Sequence, residues 1–314
     1  PLRLFLREKF GARVWKITVD GGFACPNMDG TLSREGCIFC NLASFSPARR
    51  QTPRPIRQQI QQAAEKLRRR YGVNCFLAYF QPGTNTYGPV EKLRDLYQQT
   101  LQEPEIVGLA IGTRPDCVPN EVLDLLAELA QKTWVLLELG LQTIHNRTLD
   151  WLGRHHTYEA FLDAAERAQK RHLPVGAHVI VGLPGESADQ VRATAEEIAR
   201  LGLHSVKVHN LYVARDTRLA QLYQAGQVRL PSLEEYAGLV VDFLERLRPD
   251  CVIDRLCADA PPEYLVAPEW SAKKGAVVAA IEAELKRRDT YQGHLFTTEP
   301  TSIESCPMRP GEGL

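Results

Sequence analysis

Apolar residues come in short runs along this chain, separated by stretches with helical periodicity. Val14–Asp20 is β-branched and reads as a strand. Val73–Phe80, Ile106–Thr113, Trp134–Gln142, Val175–Leu183 and Ser205–Leu211 are further runs, mostly bounded by Gly, Pro or polar residues. Between them, Ile56–Arg70 carries a thin apolar stripe among Gln and Arg. Pro119–Lys132 sets Val122, Leu125, Leu126 and Leu129 on one helix face. Tyr158–His172 reads as a helix that stops before Pro174. Ser187–Leu201 opens on Ser187 as N-cap, with Gln190 three residues on and Gly202 as its stop. Six strands alternating with helices predict a parallel sheet, and near-continuous apolar strands predict burial on both faces. A doubly wound sheet and a barrel both satisfy this, and both gather functional groups at the C-terminal ends of the strands.

From Leu233 the pattern changes. A helix over Leu233–Leu247 is followed by a short strand around Cys251–Leu256, a proline-rich loop over Ala260–Pro268 and a helix over Ala272–Arg288. The tail from Thr297 reads as irregular. No linker separates these residues from the rest. The expected division is a core over residues 1–230 and an extension over residues 231–314 packed on it. No internal repeat is evident.

Composition adds exclusions. Hydrophobic residues at 44% and charged residues at 24% argue for a folded globular chain. Lys plus Arg equals Asp plus Glu at 38 each, so net charge argues for neither nucleic acid nor a membrane surface. No apolar run reaches the about eighteen residues of a membrane span, and the start of the chain lacks the apolar core of a signal peptide. The expected location is the cytoplasm, where eight cysteines do not imply four disulfides.

Three of those cysteines lie within sixteen residues, in a glycine-rich segment directly after the first strand. Eleven residues separate Cys25 from Cys37, and two separate Cys37 from Cys40. A C-x-x-C pair lets two thiolates reach one metal centre. A structural zinc site needs a fourth ligand, and no other Cys or His lies nearby in sequence. A thioredoxin-like pair would not need Cys25. Three buried structural cysteines would leave the glycines Gly21, Gly22, Gly30 and Gly36 unexplained. An incomplete thiolate set has a specific use: three cysteines can hold three irons of a [4Fe–4S] cluster and leave the fourth open to a small molecule.

With its cysteines after the first strand of a βα repeat, the chain resembles the radical S-adenosylmethionine (SAM) superfamily. The commonest spacing there has three residues between the first two cysteines. Longer gaps occur in some branches, including relatives of the Elongator catalytic subunit. Phe39 matches an aromatic often found between the last two. Trp15–Phe45 closely resembles the bacterial YhcC-type branch, and the resemblance continues through Arg255-Leu-Cys-Ala-Asp-Ala-Pro and Tyr291-Gln-Gly-His. It implies an α/β fold, a partial (βα)6 TIM-like barrel with a C-terminal α/β extension. It also implies a [4Fe–4S] cluster on Cys25, Cys37 and Cys40, SAM on the open iron, and an electron donor such as flavodoxin or ferredoxin. Reductive cleavage of SAM would give a 5′-deoxyadenosyl radical that abstracts hydrogen from a substrate.

Further residues are read from strand alternation together with this resemblance. Glu138, Gly140 and Gln142 share one strand face, and a buried charge or amide needs a partner. Glu138 and Gln142 are therefore expected at the SAM site. Arg154 matches the Leu-x-Arg-x-His-Thr segment of anaerobic coproporphyrinogen oxidase relatives, where the Arg binds the SAM carboxylate. His155 and His156 read as helix-start surface residues. Gly182 belongs to an element that packs near adenine in the family, and His178 stands where relatives often carry an Asp for the ribose. Gln81, Gly83 and Thr84 are assigned to the methionyl end of SAM. Asn85, Tyr87, Arg114, Lys207, His209, Tyr212 and Arg215 are substrate candidates. Cys257 and Cys306 are best read as buried or surface thiols.

The substrate class stays open. RNA is one reading, because Arg49–Arg70 holds eight basic residues and one acidic residue, although a solvated helix face explains them as well. A small molecule or cofactor precursor is another. A non-catalytic, zinc-stabilised adaptor is a reading of a different class.

Overall fold

The computed structural model of the chain describes residues 1–46, 49 and 54–297. Cys306 and the tail beyond Thr297 lie outside the described residues. The chain opens with α1 (Leu2–Phe10) and β1 (Val14–Val19), then α2 (Leu42–Phe45), α3 (Ile56–Tyr71) and β2 (Cys75–Phe80). Next come α4 (Val90–Leu101), β3 (Ile106–Thr113), α5 (Asn120–Ala130) and β4 (Trp134–Gln142). They are followed by α6 (Asn146–Trp151), α7 (Tyr158–Gln169), β5 (Val175–Val181), α8 (Ala188–Arg200) and β6 (Ser205–Asn210). The last third holds β7 (Val213–Ala214), α9 (Arg218–Gln224), α10 (Leu233–Arg246), β8 (Val252–Arg255), β9 (Leu265–Ala267) and α11 (Lys274–Arg287).

Seven strands pair in the order β1-β2-β3-β4-β5-β6-β8, all parallel, and curl into a half-barrel. The six expected strands are all present. The seventh comes from the short strand of the extension, so β8 belongs to the same sheet as the core. The remaining two strands, β7 and β9, form a small antiparallel pair.

The helices follow local signals closely. Ser187 caps α8 with the expected reciprocal bonds to Gln190, and Ser232 does the same for α10 with Glu235. α7 stops at Gln169, three residues early. His172 takes a left-handed φ of 57° there, and Leu173 N–H turns back to the Ala168 carbonyl. α4, which is not among the elements expected from the sequence, buries Leu93, Tyr97 and Thr100 on one face.

Strand alternation divides the half-barrel into layers. On β4, Val135, Leu137, Leu139 and Leu141 face the surrounding helices in the main core. The inner residues change character along the barrel axis. At the bottom, Leu77, Ala110 and Leu136 pack against Leu2 and Leu6 of α1, which plugs that end. Above that plug lies a belt of charges, and above the belt a cavity.

Candidate active site

Cys25, Cys37 and Cys40 form part of one wall of this cavity, whose volume is about 610 Å³. The eleven-residue gap is an excursion closed on itself. Leu32 N–H donates to the Pro26 carbonyl and Gly36 N–H to the Asn27 carbonyl, both at 2.8 Å. The chain thus returns to its starting point before Cys37. Asn27 is fully buried and sends Nδ2–H to the Cys37 sulfur at 3.4 Å and to the Gly153 carbonyl at 2.8 Å. Ile38 is held from both sides: its N–H reaches the Leu152 carbonyl, and its carbonyl accepts from Leu219 N–H. Packing with Leu152, Ile180 and Leu211 anchors the C-x-x-C turn to the strand ends.

Burial pushes the Cys40 thiol up, and the neighbouring Cys37 and Cys25 push it the same way. Crowded thiols of this kind ionise only with positive charge beside them. Arg154 supplies part of it. Its Nη1 donates to the Cys37 sulfur at 3.3 Å, its Nη2 to the Gly140 carbonyl at 3.0 Å and its Nε to His156 at 3.2 Å. His156 accepts because it is neutral: burial, then Arg154, pull its imidazole down to about 3.

Gln81, Gly83 and Thr84 line the cavity from the loop after β2, which is tied to the cysteine loop by Thr84 N–H on the Ala24 carbonyl at 3.0 Å. Gln142 lines it from the end of β4 with φ of 73°, a strained conformation for a non-glycine residue, where β4 and β5 slip register. His178 lines it from β5. Glu138 and Gly182, expected at SAM, are not among the cavity walls. Glu138 sits in the charged belt below, and Gly182 lies against Pro231.

Glu138 is the hub of that belt. Its carboxylate meets Lys16 at 2.7 Å, His178 at 2.6 Å and Lys207 at 2.9 Å. Asp254 meets Lys16 at 2.6 Å and Lys207 at 3.3 Å. Tyr79 closes the group, its hydroxyl 2.8 Å from Lys207. Burial alone would raise the Glu138 carboxyl, yet Lys16 and Lys207 hold it well below the usual range. Burial and then Lys207 pull His178 down to about 4, so it is neutral.

The substrate candidates divide. Arg114, His209 and Tyr212 line the cavity. Arg114 is paired with Asp116 at 2.8 Å and donates to the Arg154 carbonyl. Lys207 belongs to the belt. Asn85 is not placed for substrate: it is fully buried, and its amide bridges the Phe80 and Gly112 carbonyls. Tyr87 bonds to Thr31 beside a separate hollow, and Arg215 is not among the cavity walls. His155 is exposed as expected, whereas His156 is buried. Cys257 is buried in the core. Sequence reasoning missed Asn27, His156, Lys16, Asp254 and Arg255 as parts of the site. Asn27 lies two residues after Cys25, His156 is the His of the Leu-x-Arg-x-His-Thr segment and Arg255 opens the Arg255-Leu-Cys segment, whereas Lys16 and Asp254 carried no local signal.

The donor set can be weighed against metals. Among the described residues, no group of three His, Cys, Asp or Glu side chains is arranged to hold one metal ion. The three thiols share a wall and receive N–H donors at Cys37. A cluster taking one thiolate per iron fits such a set.

A family model described as the Radical SAM superfamily matches residues 33–198, more than half of the chain. The chain belongs to the radical SAM superfamily. A second model, the Radical_SAM C-terminal domain, matches residues 203–287. The first match begins between Cys25 and Cys37, inside the long excursion. This radical SAM protein is 37% identical over 295 residues to YtqA of Bacillus subtilis (strain 168), covering 94% of this chain and 92% of that protein. It is 40% identical over 281 residues to YhcC of Escherichia coli (strain K12), covering 89% and 90% respectively. Among solved structures, Elp3 of the archaeon Methanocaldococcus infernus, lacking residues 1–46, matches with a TM-score of 0.67 at 18% identity. That match covers 89% of this chain and 64% of the Elp3 chain, and it is a likeness of fold. This radical SAM enzyme takes the superfamily's cofactors, a [4Fe–4S] cluster and SAM. Among the described residues, no helix is long and apolar enough to cross a membrane.

Proposed function

We propose that Cys25, Cys37 and Cys40 hold the cluster, that SAM lies in the adjoining cavity, and that hydrogen is abstracted from a substrate bound in the same cavity. The supporting observation is that the three thiols, Arg154 and Gln142 line one cavity at the strand ends. When bound, the reduced cluster and SAM supply a 5′-deoxyadenosyl radical, the species that attacks an unactivated C–H bond.

The chain's own residues prepare the site. Arg154 and Asn27 donate to Cys37 and favour its thiolate over its thiol. Arg154, held by Gly140, presents a fixed cation to the carboxylate of SAM. Thr84 Oγ1 is buried without a hydrogen-bond partner and suits the polar methionyl end. Water and competing hydrogen donors would be displaced from the cavity by bound SAM and substrate together. The electron would come from reduced flavodoxin or ferredoxin, in the cytoplasm.

The arginines of α3 are largely paired with local acids: Arg57 with Glu103, Arg68 with Glu105 and Arg69 with Glu65. That pairing favours a substrate recognised inside the cavity over RNA phosphates bound along α3. The test is anaerobic purification with iron, sulfide and zinc analysis, then dithionite reduction with SAM. The expected result is about four irons per chain and 5′-deoxyadenosine, both lost in Cys25→Ala, Cys37→Ala and Cys40→Ala. A single tightly bound zinc with no SAM cleavage would overturn the proposal.

A further inference from the structure

The charges of the inner belt cancel. Lys16 and Lys207 are matched by Glu138 and Asp254 through the ion pairs already described. Arg255, the next residue after Asp254 on β8, is left over. It lines the cavity, and among the described residues no carboxylate lies within ion-pair distance of it. Asp259, an acid of the same wall, is taken by Lys274 at 2.9 Å. Among the described residues, the Arg255 fork has one side-chain hydrogen-bond partner, the ring of His209, which Nη2 meets at 2.7 and 3.2 Å. Its Nε is shut off from water and has no hydrogen-bond partner.

Asn210 ends β6, the strand that pairs with β8. The residue is 3% exposed and also lines the cavity. Its Oδ1 accepts from Ala258 N–H at 2.8 Å, which settles which end of the amide is which. The Nδ2 end is buried and has no partner. A buried donor left unpaired costs about 1–3 kcal/mol. One such donor belongs to an uncompensated guanidinium on β8 and the other to an amide on the paired strand β6, and together they describe a place waiting for acceptor oxygens.

We infer that Arg255 and Asn210 form a subsite for an anionic oxygen group of the substrate, a carboxylate or a phosphate. The inference rests on the proposed function, because it takes the cavity to be the substrate site. SAM also carries a carboxylate, but Arg154 stands at the cysteine wall and is tied to β4 through Gly140, whereas Arg255 sits on the edge strand β8, three strands along the sheet. A planar guanidinium can meet two oxygens at once, and the Asn210 amide adds a neutral donor.

Calorimetric titration of the reconstituted, SAM-loaded holoenzyme with inorganic phosphate and, separately, with succinate tests this. Saturable binding of at least one is expected, and the preferred probe identifies the chemistry. Affinity should fall about tenfold or more in Arg255→Gln and in the near-isosteric Asn210→Asp, and less in Arg255→Lys. Cluster content and SAM binding should stay at the wild-type level, which reports that the variants fold. Absence of saturable binding, equal affinity in the variants, or displacement of the probe by SAM would each overturn the subsite. If no cluster forms or SAM does not bind, the proposed function fails instead, and the same titrations on cluster-free protein still decide the subsite.

Discussion

Arg154 Nη1 lies 3.3 Å from the sulfur of Cys37. The arginine expected to clamp a carboxylate thus also donates to a cysteine. An N–H donor on a cluster sulfur stabilises the more negative, reduced state and raises its potential. Arg154→Gln is expected to lower the cluster potential by roughly 60 mV, the one-electron equivalent of one charge-assisted hydrogen bond. An electron paramagnetic resonance redox titration reads the shift. An unchanged potential would mean that the contact has no electronic consequence.

Glu138, itself 2% exposed, holds two lysines and a histidine in the centre of the half-barrel. Removing one partner from a buried ion network leaves the others uncompensated, at a cost of about 3–5 kcal/mol. Glu138→Gln should lose that much stability in urea unfolding. A loss below about 1 kcal/mol, typical of an exposed pair, would show that the network is wetter than its burial indicates.

The neutral state of His178 makes stability depend on pH. Its folded value is about 4, against about 6.5 in an unfolded chain. Between these values the unfolded chain binds a proton that the folded chain refuses. Stability is therefore intact above about pH 6.5 and falls as pH drops toward 4, by up to roughly 3 kcal/mol from this group. Unfolding measured at about pH 7 and about pH 5 should show a smaller difference in His178→Asn than in the wild type. Equal differences would place the sensitivity elsewhere.

Gly83 couples the loop after β2 to the cysteine loop. Its φ is 81°, and a Cβ there would stand 2.5 Å from the Phe23 carbonyl oxygen, two residues before Cys25. Gly83→Ala should cost about 1–3 kcal/mol in backbone strain and push the Cys25 end of the loop outward. Iron content after anaerobic reconstitution should fall while the far-ultraviolet circular dichroism stays native. Full iron loading would show that the loop absorbs the methyl group.

Much of the architecture was legible because strands and helices announce themselves locally. Six strands were placed to within two residues at each end, and Ser187 with Gln190 marked a helix start that the structure reproduces. The face shared by Glu138, Gly140 and Gln142 followed from the two-residue period of a strand. What Glu138 does on that face did not follow, because period gives direction and not depth. Gln142 reaches the cavity, while Glu138, four residues lower, meets the belt.

By itself, then, the sequence determined the alternation of strands and helices, the triplet Cys25, Cys37 and Cys40 after the first strand, and the family likeness those residues carry. Tertiary structure alone decided how an eleven-residue gap closes, that β8 joins the sheet, and which charges meet. Lys16 and Asp254 are 238 residues apart in the chain and 2.6 Å apart in space. Asn27 and Arg255 face the cavity for the same reason. Local periodicity encodes which side of an element is buried, but the partner of a buried polar group is chosen by chain segments that meet only when the barrel curls.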